Sequence, residues 1–187
     1  MSDLLLFISL FASIAAATLL YLKNRQLKRV ITQLTRLDPV SKVPNRLAIM
    51  QDLELAFSLA KRYQLPFTLG MILIPRKSTQ DSKEVLRPFA QAINLLLRET
   101  DLFGRLSDDT FIVALTHTNT HDARAVVERL LNHQPIEKHA PIYIGMSHLT
   151  QSTTTLSNLI KNCRNALNSA KESPTSTVQY HSDEPTQ

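Results

Sequence analysis

A chain of 187 residues has room for one ordinary domain and an appendage. With 43% hydrophobic and 20% charged residues it can build a globular core, and wholesale disorder is excluded. The lone cysteine, Cys163, excludes an internal disulfide framework and any Cys-rich metal site, and reads as a small buried hydrophobe on a helix.

Leu4 to Leu22 is an uncharged run, LLLFISLFASIAAATLLYL, about long enough to span the hydrocarbon layer as a helix at about 1.5 Å per residue. Ser9, Ser13 and Thr18 interrupt it, but short hydroxyl side chains bond back to their own helix. The net charge of +5 is concentrated just beyond: Lys23, Arg25, Lys28, Arg29, Arg36, Lys42 and Arg46 face only Asp38, and from Leu47 onward basic and acidic residues balance. Positive charge beside an apolar run points to the cytoplasmic face of a lipid bilayer, and argues against a nucleic-acid partner. The competing reading is a cleaved signal peptide, but no basic stretch precedes the run and Ala15-Ala16-Ala17 is a weak cleavage match. The expectation is a transmembrane anchor over 1–22, single-pass in a bacterial inner membrane, with the carboxyl-terminal domain in the cytoplasm.

Residues 23–37 read as a juxtamembrane helical linker, continuous with the anchor because Met1 to Leu37 holds no Pro or Gly. Leu27, Val30, Leu34 and Leu37 recur at spacings of three and four. That seam suits either a homodimer or packing on the chain's own domain.

The soluble domain, 38–172, alternates clear elements. Asn45–Tyr63 is an amphipathic helix, Phe67–Ile74 a buried strand, and Glu84–Arg98 a helix tolerating Pro88 in its early turns. Leu102–Leu106 and Phe111–Leu115 flank Ser107-Asp108-Asp109-Thr110 as a hairpin. A helix over Asp122–Asn132, a strand over Ile142–Leu149 and a helix over Leu156–Lys171 follow. The Ser-, Thr- and Pro-rich tail, 173–187, reads as disordered. The order predicts an α+β sheet with helices on its faces. The six histidines (His117, His121, His133, His139, His148 and His181) show no metal-ligand spacing.

Five phrases carry a family resemblance. Asp38-Pro39-Val40-Ser41-Lys42-Val43-Pro44-Asn45-Arg46 resembles the DPLTGLPNR opening of GGDEF domains, the diguanylate cyclase family. Arg98-Glu99-Thr100-Asp101 with Leu102–Leu106 is similar to the family's RESDxxxRL approach to its signature hairpin. Ser107-Asp108-Asp109-Thr110-Phe111 stands at the signature itself. Ile142–Ser147 resembles the "SIGVA" strand, and Ala166–Lys171 the closing "ALYxAK" helix. The resemblance implies the ferredoxin-like sheet of nucleotidyl cyclases. It also implies chemistry in which two divalent metals help a 3′-hydroxyl of one GTP attack the α-phosphate of another across a dimer.

Measured against that pattern, this sequence departs at the positions that bear chemistry. The family's metal-binding acids fall on Leu73 and Pro75, and the signature Glu on Thr110. Its paired glycines become Ser107 and Asp108, whose side chains obstruct and whose carboxylate repels a triphosphate. Asp109 alone survives at an acidic position of the signature, and reads as a solvated turn residue more readily than a ligand. The segment that supplies guanine-reading groups in the family is replaced by the shorter Pro75–Glu84. The expectation is therefore no enzyme, no catalytic residue, no metal and no cofactor.

Arg98 and Asp101 keep the family's RxxD spacing, which in relatives binds product cyclic di-GMP. A guanidinium can donate to guanine O6 and N7 while a carboxylate accepts from N1 and N2. Helix-end Arg and i,i+3 pairing offer a purely structural account of the same letters. Three functions stay open: a regulatory or scaffolding protein with an unidentified protein partner and cyclic di-GMP as candidate ligand; an active diguanylate cyclase with an unorthodox site; and a structural membrane subunit without ligand.

Overall fold

The computed structural model describes residues 10, 13–26, 35–75, 82–133, 141–153, 155–173 and 177–181, and the chain divides into two units, Met1–Arg36 and Leu37–Gln187. In the first unit, residues 13–26 form a helix, α1. Thr18 Oγ1 donates back to the carbonyls of Ile14 and Ala15 at 2.9 and 2.8 Å, which satisfies the hydroxyl within an apolar helix. Among the described residues no helix is long and apolar enough to cross a membrane. Residues 4–9 and 11–12 of the apolar run lie outside the described residues, as do Leu27, Val30 and Leu34 of the seam.

The expectation of one helix through Leu37 is corrected at its far end. Residues 35–37 are not helical, and Leu37 bridges Pro44 in antiparallel fashion. The reason is local: Asp38 precedes a proline, which disfavours the helical region, and its carboxylate gathers the next residues into a tight loop. Leu37 belongs to that loop and not to a helical seam.

The second unit builds a five-stranded sheet from α2 (Arg46–Tyr63), β1 (Phe67–Leu73), α3 (Ser82–Leu96), β2 (Leu102–Arg105), β3 (Thr110–Thr116), α4 (Thr120–His133), β4 (Tyr143–His148), α5 (Leu156–Lys171) and β5 (Thr177–Tyr180). Strand order is β2-β3-β1-β4-β5, antiparallel except for the β4–β5 pair. Along β1, Leu69, Met71 and Leu73 pack with α2 and α5, while Ile72 packs with α3 and α4. A central strand covered on both faces has no use for a polar alternate, which is why Phe67–Leu73 reads as an unbroken apolar run.

Two expectations change. The second helix of the domain ends at Leu96, so Arg98 lies in the connection to β2 and not in a helical turn. The tail is not wholly unstructured: Thr177–Tyr180 adds a parallel edge strand to β4, and Val178 and Tyr180 pack on the α3–α4 side. The Arg124 guanidinium sits 4.9 Å from the Tyr180 ring centroid, a cation–π contact that ties this strand to α4.

Helix α5 approaches β4 so closely that Gly145 has no room for a side chain. A Cβ there would meet the backbone nitrogen of Leu167 and the carbonyl of Cys163. Substituting Gly145→Ala is expected to destabilise the chain by about 3 kcal/mol, because backbone cannot yield as a side chain can; chemical denaturation measures it. Cys163 is fully buried, with its Sγ donating to the Leu69 carbonyl at 3.1 Å. Burial pushes this thiol up, far above the ordinary cysteine range, so the thiolate is absent at neutral pH. Maleimide labelling should therefore wait on unfolding, and rapid labelling of the folded chain would contradict the placement.

Candidate functional site

Construction of the site begins with Asp38. Its Oδ1 accepts from the backbone N–H of Val40 at 3.1 Å, from the N–H of Ser41 at 2.7 Å and from the Ser41 hydroxyl at 2.8 Å. Lys42 adopts a left-handed conformation (φ 62°), and the Lys42 and Asp38 amides donate to the Asp38 and Val43 carbonyls. The chain then enters α2 with Asn45 as its N-cap, the side chain accepting from the Ala48 amide.

Against this loop lies Arg105, the last residue of β2, only 8% exposed. Its Nε donates to the Ser107 carbonyl at 3.0 Å, one terminal nitrogen to the Asp108 carbonyl at 2.7 Å, and the other to Asp38 Oδ1 at 2.8 Å. Its own N–H donates to the Pro44 carbonyl. Burial by itself would raise the Asp38 carboxyl. The Ser41 amide, the Arg105 guanidinium and the Ser41 hydroxyl outweigh it and hold Asp38 below the usual carboxylate range.

The turn that Arg105 holds is the segment Ser107–Thr110. Ser107 and Asp108 are exposed, and the Leu106 and Ser107 amides donate to the Thr110 carbonyl. Asp109 Oδ1 accepts from the Thr110 hydroxyl at 3.0 Å and from the Ser107 hydroxyl at 3.3 Å, while the Asp109 carbonyl accepts from the Ile74 amide. Thr110 opens β3 directly opposite Leu73 of β1. Phe111 is fully buried, stacked on Phe103 with centroids 5.3 Å apart and tilted on Phe89 at 5.4 Å. It is a packing residue.

Arg98 and Asp101 part company. Asp101 Oδ2 accepts from the Arg98 backbone N–H and Oδ1 from the Thr116 N–H, each at 3.0 Å. The Asp101 carboxylate thus pins the α3–β2 connection to the far end of β3. The Arg98 side chain is exposed, and its guanidinium makes no hydrogen bond or ion pair with a described residue. It is not clamped on Asp101 or Glu99. Residues 76–81 of the shortened loop lie outside the described residues.

Sequence reasoning met Asp38 and Arg105 only as letters of two family phrases and Asp38 as the lone acid among basic residues, and did not pair them. A signal existed. An arginine one residue inside a strand otherwise apolar, Leu102-Phe103-Gly104-Arg105-Leu106, has to find acceptors when that strand is buried.

An α+β sheet with α2 and α5 on one face, α3 and α4 on the other, and a β2–β3 hairpin at one corner defines the class. The sequence model of the diguanylate cyclase GGDEF domain matches residues 35–177, and the chain belongs to that family. No curated protein matches it in sequence. Among solved structures it resembles the GGDEF domain of DgcB from Caulobacter crescentus, solved in complex with c-di-GMP, at 13% identity and a TM-score of 0.70, covering 79% of this chain and 96% of that one. It also resembles the diguanylate cyclase SiaD of Pseudomonas aeruginosa, solved with its activator SiaC, at 22% identity and a TM-score of 0.69, covering 91% and 71%. The active GGEEF domain of a diguanylate cyclase from Vibrio cholerae aligns at 21% identity and a TM-score of 0.68, covering 75% and 98%. At these identities the likeness is one of fold.

The family implies two divalent metals, and the corner residues can be tested against that need. Hard cations take carboxylate oxygens. At the described turn the acidic groups are the exposed Asp108 and Asp109, whose carboxylate already accepts from two hydroxyls, beside the Thr110 hydroxyl; the Leu73 side chain opposite offers only carbon. Among the described residues no group of three or more His, Cys, Asp or Glu could hold a metal ion. The described residues of the corner do not by themselves make up a two-metal donor set.

Substituting Asp38→Asn tests the assembly of this corner. It leaves a buried guanidinium short of its counter-charge, and is expected to cost about 3 kcal/mol at neutral pH. Because the folded-state pKa of Asp38 is depressed, its contribution is complete above the unfolded-state value near 4 and fades as pH falls through the lower folded value. Denaturation curves between about pH 6 and pH 2 should therefore slope less steeply for the variant. Parallel slopes would remove Asp38 from this role.

Proposed function

We propose that this chain is a catalytically inactive GGDEF protein that regulates or scaffolds a partner protein at the cytoplasmic face of the bacterial inner membrane, with cyclic di-GMP as its ligand. The observation that carries the loss of catalysis is the Leu73–Thr110 pairing, which sets an aliphatic side chain against a hydroxyl at the corner where the family's metal chemistry takes place. The membrane anchor rests on the sequence: the uncharged Leu4–Leu22 run and the basic residues directly after it. A protein partner accords with SiaD, whose solved structure holds its activator. The full chain incubated with GTP and magnesium or manganese is expected to yield no cyclic di-GMP; product that vanishes on Asp109→Ala would overturn the reading. Carbonate extraction of the full chain should leave it in the membrane pellet, and release into the wash would remove the anchor.

The ligand reading rests on Arg98. Its exposed guanidinium has the bidentate geometry that guanine O6 and N7 accept. Asp101 contributes differently, since each carboxylate oxygen already takes one backbone N–H. Calorimetric titration of the full chain with cyclic di-GMP should show binding that Arg98→Ala abolishes without change in thermal stability. Asp101→Ala should weaken binding and also destabilise the fold by about 1–2 kcal/mol, the usual cost of losing a side-chain cap on backbone N–H groups. Absence of heat with the unaltered chain would leave the motif a purely structural connection.

A further inference from the structure

Charge is divided unevenly between the two helical layers of the second unit. Along α2 and α5 six cations (Arg46, Lys61, Arg62, Lys161, Arg164 and Lys171) stand against two carboxylates, Asp52 and Glu54, and the 16 residues of α5 hold no acid. Along α3 and α4 four Lys or Arg stand against three Asp or Glu. Exposed apolar side chains follow the same division. On α2, Leu47, Leu55, Leu59 and Tyr63 are all exposed, the last three at 65%, 46% and 59%. Among the described residues of α3 and α4, Leu95 is the one large hydrophobic left exposed.

Both helices pack on one face of the sheet, α2 through Ile49, Leu53 and Phe57 and α5 through Leu159, Cys163 and Leu167. Their opposite faces therefore form the outer surface of a single layer. Leu55, Leu59 and Tyr63 recur every four residues and run as one ridge along α2, turned away from its buried stripe. The Arg62 guanidinium sits 5.5 Å from the Tyr63 ring centroid, a ring-and-cation pair suited to a boundary between hydrocarbon and water. On α5, Lys161, Arg164 and Lys171 share the outer face at spacings of three and seven. All three are exposed, and none makes a hydrogen bond or ion pair with a described residue. The acids on or beside these helices are the exposed Glu54, the half-buried Asp52 and the exposed Glu172 just past α5.

Apolar side chains beside an excess of cations match the boundary of an anionic bilayer, where aliphatic groups enter the acyl region and cations meet headgroup phosphates. A second copy of the chain would bury the leucines, but an isologous pair would set two positive layers face to face. An anionic surface turns that repulsion into attraction. We infer that the α2–α5 layer docks the domain on anionic phospholipid headgroups, with Leu55, Leu59 and Tyr63 laid into the interface and Arg62, Lys161 and Arg164 over the phosphates. The inference rests on the membrane-anchor reading and adds to it the face that the domain turns to the lipid. The tether permits it: Leu22 and Leu37 are fifteen residues apart, about 54 Å at full extension, so the domain never leaves the neighbourhood of the surface.

The test places a polarity-sensitive dye on the full chain through Ser58→Cys, an exposed α2 position between Leu55 and Leu59, or through Asn94→Cys, exposed on α3. Cys163 is buried and stays unlabelled. Each chain is reconstituted in vesicles of phosphatidylcholine alone or mixed with phosphatidylglycerol, and spin-labelled phospholipid serves as quencher. The dye at position 58 should shift to the blue and be quenched in the phosphatidylglycerol vesicles only, reversibly with salt, while the dye at position 94 stays in water. Lys161→Glu with Arg164→Glu, both exposed, should lower the docking equilibrium about tenfold or more without moving the thermal midpoint. Equal signals at position 58 in both lipids, quenching at position 94, or indifference to the charge reversal would each overturn the inference and leave the anchor standing. Quenching that grows with chain density in neutral vesicles would assign the layer to a second copy, and also overturn it. A chain that floats with phosphatidylglycerol vesicles alone, and not after the charge reversal, would keep the docking and remove the anchor. Flotation with neither lipid would remove both.

Discussion

A guanidinium taken out of water has to be surrounded by acceptors, because neither its charge nor its N–H groups can be left unmet without a penalty of several kcal/mol. Arg105 meets that condition with one carboxylate and two carbonyls, drawn from two segments far apart in sequence. The loop at Asp38–Pro44 is thereby fixed against the end of β2, and the Ser107–Asp109 turn is fixed on the same side chain. From there the geometry propagates. The turn sets where Thr110 starts β3, and the register of β3 on β1 places Leu73 opposite it. Gly104 belongs to the same constraint, since a Cβ there would meet Ile49 and the Pro44 carbonyl and push β2 away from α2. One buried charge positions the corner where the family's chemistry takes place.

Much of this architecture was legible from periodicity. α2 announced itself by amphipathic spacing; the caps came from the structure, where Asn45 accepts from the Ala48 amide and Thr155, ahead of α5, from the Asn158 amide. β1 read as buried because its residues meet helices on both faces. The hairpin followed from four polar residues between two apolar runs. What escaped was tertiary in origin. β5 has four residues amid Ser, Thr and Pro, and the β4 edge, the packing of Val178 and Tyr180 and the Arg124 guanidinium make a strand of it. The departure at Leu37 escaped because helix propensity says nothing about a carboxylate that collects amides two and three residues downstream. Arg105 escaped because a strand's pattern shows that a residue is enclosed, and not which distant loop supplies its acceptors.

The RxxD spacing illustrates how one motif separates into different physical roles. Asp101 uses its two oxygens on backbone N–H groups from two chain segments, so its presence is accounted for by the fold alone. Arg98 contributes its backbone N–H to that arrangement and nothing of its side chain. An exposed arginine adds little stability, and the fold gives no account of why the guanidinium should be retained. Sequence spacing treats the two letters as one signal. The hydrogen bonds divide them, and only the arginine half asks for an explanation outside the chain.

The same sheet presents different environments at its two ends. At the Ser107–Thr110 corner polar groups are consumed internally: the Asp109 carboxylate by two hydroxyls, the Asp108 and Ser107 carbonyls by Arg105. At the opposite end, the last turn of α2, the β3–α4 loop and the β4–α5 loop border a cavity. Helix α2 connects the ends, with Asn45 capping it at the corner and Ala60 and Lys61 lining the cavity, a span of about 27 Å for 18 residues. That distance is several times the screening length of about 8 Å in physiological salt, so a charge placed at one end is scarcely felt at the other. Packing gives the same separation, since Ile49, Leu53 and Phe57 hold α2 on the sheet between them and are buried. Substitutions at the two ends share no contact and therefore act additively on stability. Any departure from additivity would have to travel through α2 or through strands β1 and β3, which run from the corner to the opposite end as rigid elements.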